Sequence, residues 1–228
     1  MRKTLVIASV CLLFWHSGLM AGADVKASRE RASKEGVTVY QVPWRCPAAL
    51  QIGCGSHAKP ILLQLEQDPV VSEAWLNRPG TTVAVVWKEG ARRKARRSAE
   101  KTLKGGKASK LSGEAQAKAL ADFESGKGWY RGAEVDRLSE EEAGVIAARW
   151  VRRVQAKTTL TEAKAEGLRA ALTEGLKKCL TGKAAMPETQ EAKALELGRV
   201  AGPFLDEKQL EILGEAAGRG MRAMPNEE

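Results

Sequence analysis

Residues 54–87, CGSHAKPILLQLEQDPVVSEAWLNRPGTTVAVVW, decide how the first half of the chain folds. Ile61, Leu62 and Leu65 share one face of a helix running from about His57 to Gln67, with Pro60 in its first turn, where a missing N–H is tolerated. Val70 to Leu76 then reads as a strand, Asn77-Arg78-Pro79-Gly80 as a turn, and Thr81 to Trp87 as another strand. Just upstream, the β-branched run Val37 to Val42 predicts a first strand, and Pro43, Pro47, Gly53 and Gly55 mark a loop carrying Cys46 and Cys54. The order is therefore β–α–β–β.

Outward from this segment the texture changes. Lys88 to Lys110 holds ten Lys or Arg against Glu89 and Glu100, and reads as a solvated basic stretch with a helix inside Ala91 to Leu103, ended by Gly105-Gly106. Lys107 to Leu111 is the candidate for a fourth strand. Beyond it the abundance of Ala, Leu, Glu, Lys and Arg predicts helices near 113–124, 139–156, 160–181, 188–200 and 206–222. Ser139 ahead of Glu140-Glu141-Glu142 reads as a helix cap followed by carboxylates that complement the dipole, and residues 126–132 as an aromatic loop. The scattered tryptophans read as core or rim packing. The fold class expected is α+β: an N-terminal domain over 36–110 and an all-helical region over 111–228.

At the start, Arg2 and Lys3 precede an apolar stretch from Thr4 to Trp15 and the small-x-small pattern Ala21-Gly22-Ala23. Residues 1–23 thus read as a cleavable secretory signal and 24–35 as a polar linker, which predicts an exported protein, periplasmic or secreted. No later apolar run approaches the ~20 residues of a spanning helix, so no transmembrane segment is expected after cleavage. The formal net charge of +9 would suit nucleic acid, anionic lipid or an acidic partner. Export sets nucleic acid aside. Cys46, Cys54 and Cys179 survive cleavage, an odd number that gives no disulfide framework. Cys179, beside Lys177 and Lys178, reads as a buried or incidental thiol. His57 is the single histidine after residue 23. With no phosphate-binding glycine loop and no nucleophile–histidine–acid set, the chain reads as a non-enzyme.

Chemistry concentrates at Cys54-Gly55-Ser56-His57. A cysteine at a helix start is favoured as a thiolate, and a neutral imidazole nearby is a metal ligand. Cys54 and His57, with Cys46 from the same loop as a third donor, make an S,S,N set suited to Cu(I), Zn(II) or Hg(II) rather than Mg or Ca. Residues 54–86 resemble the heavy-metal-associated domain of copper chaperones and of the periplasmic mercuric-ion-binding protein. Cys54 stands at the first cysteine of that family's C-x-x-C and His57 at the second. Ile61 and Leu65 fall on its helix core positions, Val71 on its turn valine, Ala74 and Leu76 on its second strand, and Val83, Val85 and Val86 on its third. The resemblance implies a ferredoxin-like βαββαβ fold and metal binding. It departs at His57, at Ile52-Gly53 where the family has Met-Thr, and in a longer loop from Pro43 to Ile52.

Two other readings stand beside metal binding. Cys46 and Cys54 can form a structural disulfide, with His57 a polar cap, in a chaperone-like or interaction protein whose helices bind another exported protein or a second copy. The openings Leu160-Thr161-Glu162 and Leu205-Asp206-Glu207-Lys208-Gln209 resemble those of Spy-like periplasmic stress proteins, which would fit that role. A thiol oxidoreductase ranks third, because no C-x-x-C is present.

Overall fold

The computed structural model describes residues 36–185, 188–225 and 227. The signal expected at 1–23 and the linker at 24–35 lie outside the described residues. The first strand, β1 (Val37–Gln41), leads into a hairpin of β2 (Arg45–Cys46) and β3 (Ala49–Gly53), then helix α1 (Gly55–Glu66). Strands β4 (Val71–Asn77) and β5 (Thr82–Trp87) follow, then α2 (Arg97–Gly105), β6 (Ser109–Lys110), α3 (Gly113–Ser125) and β7 (Trp129–Arg131). Four helices end the chain: α4 (Asp136–Gln155), α5 (Glu162–Leu180), α6 (Gln190–Ala201) and α7 (Glu207–Gly218). None of the helices among the described residues is long and apolar enough to cross a membrane.

Five strands form one antiparallel sheet in the order β6-β1-β5-β4-β7. Its centre is β5, whose alternating residues pack on both faces. Val83, Val85 and Trp87 join the main core with Leu62, Leu65 and Leu103 from α1 and α2. Ala84 and Val86 meet Val39, Trp75, Phe123 and Trp129 on the other face, which α3 covers. The ring of Phe123 stands edge-on to Trp75 and Trp129, with centroids 6.0 and 5.1 Å away, a favoured aromatic arrangement. The expected fourth strand is present as β6, with Tyr40 opposite Lys110.

Three expectations need correction. The stretch read as an aromatic loop contains β7, with Leu76 opposite Tyr130 and Asn77 opposite Trp129, so a strand lies within the region read as all-helical. Helix α1 begins at Gly55, two residues earlier than expected, which moves Pro60 into its second turn. The carbonyl that then lacks an in-helix donor is that of Ser56, on the exposed side. Helix α4 begins at Asp136 after a turn from Arg131 to Val135, so Ser139 is a fully buried residue inside the helix rather than its cap. Farther on, Thr161 and Thr189 cap α5 and α6, and Asp206 with Gln209 forms a reciprocal capping box on α7.

Helix α4 ties the molecule together. It packs on α1 and β3 on one side and on α5 and α7 on the other. The main hydrophobic core runs without a break from Tyr40 through Leu138, Ile146 and Trp150 to Leu213 and Ala216. The helices beyond residue 111 thus share their interior with the sheet.

Candidate functional site

The hairpin β2–β3 is pinned where two glycines meet. A Cβ on Gly80, which has φ +68°, would lie 2.5 Å from the Gly53 Cα and from the Trp44 carbonyl oxygen. Cys54 follows as the N-cap of α1, in extended conformation, its N–H donating to the Trp44 carbonyl at 2.7 Å and its carbonyl accepting from Ala58 at 3.0 Å. Gly55 then presses on α4: a Cβ there would stand 2.5 Å from both the Ser139 Oγ and the Val135 carbonyl oxygen. The Gly in Cys-Gly-Ser-His is therefore a close-approach residue that seats the start of α1 against α4.

This seating brings Cys46 and Cys54 together as hydrogen-bonded free thiols. Cys46 is buried and accepts the Ala48 N–H at 3.2 Å. Cys54 is half-buried, with its Sγ 3.5 Å from the hydroxyl of the exposed Ser56. The Cys46 hydrogen bond holds the Cys54 thiol at a pKa of about 5, against the opposing effect of burial. The Ser56 hydroxyl, the His57 backbone N–H and the His57 side chain lower it further. Cys46 moves the other way, upward, because it supplies that bond, is buried and faces the Glu142 carboxyl. The pair shares one proton, kept on the inner sulfur.

Glu142 is the member of this site that the sequence hid in a run of acids. Its carboxyl is buried, hydrogen-bonds Cys46, and has its pKa raised by burial and by the nearby Cys54 charge. One oxygen, Oε2, and the neighbouring Ser139 Oγ have no hydrogen-bond partner among the described residues. The available signal was periodic. Leu138, Glu142, Ile146 and Trp150 occupy one buried stripe of α4, which places a carboxylate at a core position.

His57 is the third residue of α1. It lies in the exposed first turn of α1, and its ring stands edge-on to Trp44 with centroids 5.7 Å apart. The structure brings Cys46 to Cys54, with Glu142 against Cys46. Among the described residues, no group of three or more His, Cys, Asp or Glu side chains is arranged to hold a metal ion. Cys179 is remote from this site. It lines a cavity of about 370 Å³ with Leu176, Leu197 and Met221, and burial raises its pKa.

Comparison with known protein families, curated proteins and solved structures gave no match.

Proposed function

We propose that the chain is an exported, non-enzymatic carrier of a soft metal ion, and that residues 36–110 form a ferredoxin-like unit of the heavy-metal-associated kind. The observation that carries the reading is the pairing of Cys46, on β2, with Cys54, the N-cap of α1, a contact that lowers the pKa of Cys54. Two facing thiols suit Cu(I) or Hg(II), which soft sulfur donors select. They suit Zn(II) less, because it asks for four ligands. The neighbour order β6-β1-β5-β4, with α1 between β1 and β4 and α2 between β5 and β6, supports the ferredoxin-like assignment. In this proposal Cys46 takes the place of the family's second cysteine, and His57 contributes its backbone N–H rather than its ring.

The test is competitive titration of reduced protein comprising residues 24–228 with Cu(I), Hg(II) and Zn(II). A single Cu(I) or Hg(II) is expected to bind, and Cys46→Ser and Cys54→Ser are each expected to abolish that binding. His57→Ala is expected to leave it within about twofold. Failure of the reduced protein to compete for either soft ion overturns the proposal.

A further inference from the structure

The two cysteines differ in a way that an ion clamp does not require. Cys46 is sealed in the core at 1 % exposure, whereas Cys54 is half-buried and stands beside the exposed Ser56. Behind Cys46 stands Glu142, 95 % buried, with its carboxyl on the thiol and one oxygen unpartnered among the described residues. Buried carboxyl groups are costly and are normally satisfied. A permanently closed structural disulfide would have no need of one here.

We propose that Cys46 and Cys54 are a reversible dithiol–disulfide couple that exchanges with external disulfides, Cys54 attacking and Cys46 resolving. The outer sulfur attacks one sulfur of the donor disulfide, forming a mixed disulfide and releasing one donor thiolate. Cys46 then attacks the Cys54 sulfur, closing the intramolecular disulfide. The second donor sulfur leaves and takes the Cys46 proton. The donor is reduced by two electrons and the protein oxidised by two, and reduction by an external dithiol runs the same steps backwards. The couple shares its sulfurs with the proposed metal site but requires no metal. Oxidation would close that site to cargo.

The experiment uses reduced residues 24–228, which retain every described residue, in chelator-treated buffer with oxidised glutathione as the probe. Wild type is expected to lose the Cys46 and Cys54 thiols, gain no stable adduct on either, and recover both with dithiothreitol. Cys46→Ala, lacking the resolving sulfur, is expected to hold glutathione on Cys54. Cys54→Ala is expected to react at Cys46 at least about tenfold more slowly, because the inner sulfur is shielded. A lasting adduct on wild-type Cys54 with Cys46 still free overturns the proposal. So does attack at Cys46 in Cys54→Ala as fast as wild type. If Cys46→Ala unfolds, the wild-type adduct measurement decides alone. Because metal is absent throughout, failure here leaves the carrier proposal standing, and failure of metal binding leaves this one.

Discussion

Helix α4 carries a buried acid toward its start and a buried base toward its end, and the two are housed in opposite ways. Arg153 is fully engaged. Its guanidinium donates to the carbonyls of Ala216, Gly220 and Arg222 at 2.8–2.9 Å and to both Glu227 oxygens at 2.8 Å. This bolts α7 and the C-terminal segment to α4. Glu142, on the other flank, has one oxygen on a thiol and the other without a partner among the described residues. A buried ion with every hydrogen bond made is structural, since removing it strands its partners. One left partly unsatisfied beside two sulfurs is placed for chemistry, at a cost in stability.

The contrast is easiest to break at Arg153. Arg153→Met keeps the bulk but takes from Glu227 its buried cation and from the Ala216 and Arg222 carbonyls the guanidinium they accept from. It is expected to cost about 3–5 kcal/mol by urea unfolding while Cys54 alkylation in the folded protein stays unchanged. A loss below about 1 kcal/mol would show that the bolt is ornamental. Gly55→Ala should come next. The new Cβ meets Ser139 and the Val135 backbone at 2.5 Å, so α1 must withdraw from α4. About 1–3 kcal/mol is expected to be lost, together with the matched placement of Cys54 and Cys46. Gly144→Ala is the control. Nothing lies within 4 Å of its Cβ position inside α4, so it should stabilise the fold by about 0.5–1 kcal/mol.

How far the sequence revealed these two regions follows from the range of the forces involved. The strands at 37–41, 71–77 and 82–87 were legible because β-branched and apolar residues are concentrated in them between turn residues. The short β7 was not. Trp129-Tyr130-Arg131 sits between glycines, and only its pairing with β4 makes it a strand. Ser139 resembled a cap because acids follow it, but Gly55, far away in sequence, buries it inside a helix that began earlier. Cys46 and Cys54 could be picked out because they share a loop. Glu142 could not, because a carboxylate in an acidic run looks solvated until the stripe of α4 is oriented by the sheet. The edge-on contact of the His57 ring with Trp44 could not be read, because spacing along the helix says nothing of a ring brought in from the preceding hairpin.

On the Glu142 side, the pH dependence of Cys54 alkylation sharpens the comparison. Its rate in folded wild type is expected to rise through pH about 5 and then level off. The hydrogen bond from Cys46 is the largest cause of that low value. Cys46→Ala should therefore move the midpoint up by at least about one pH unit, or about 1.4 kcal/mol. No movement would mean that the helix start alone sustains the thiolate, and that the inner sulfur does not share its proton.

A small effect is expected at the other end of α4. The Arg153 guanidinium holds Glu227 down at about 2, below the usual carboxylate value of 4.5. A depressed acid stabilises the fold above its unfolded pKa, and that contribution drains away as pH falls through the folded value. Stability from this pair is therefore complete above about pH 5 and lost between there and about pH 2. Glu227 keeps 18 % of its side chain exposed, so water weakens the pair to about 1 kcal/mol rather than the full linkage value. Glu227→Gln should lower the neutral-pH urea midpoint slightly and flatten the acid limb in that window. In an Arg153→Met background the same change should act much more weakly, since only the Met224 N–H and the Arg149 charge then remain to hold the carboxylate. If Glu227→Gln acts there as strongly as in wild type, Arg153 is not what answers the carboxylate, and Arg149 and the Met224 N–H hold the tail instead.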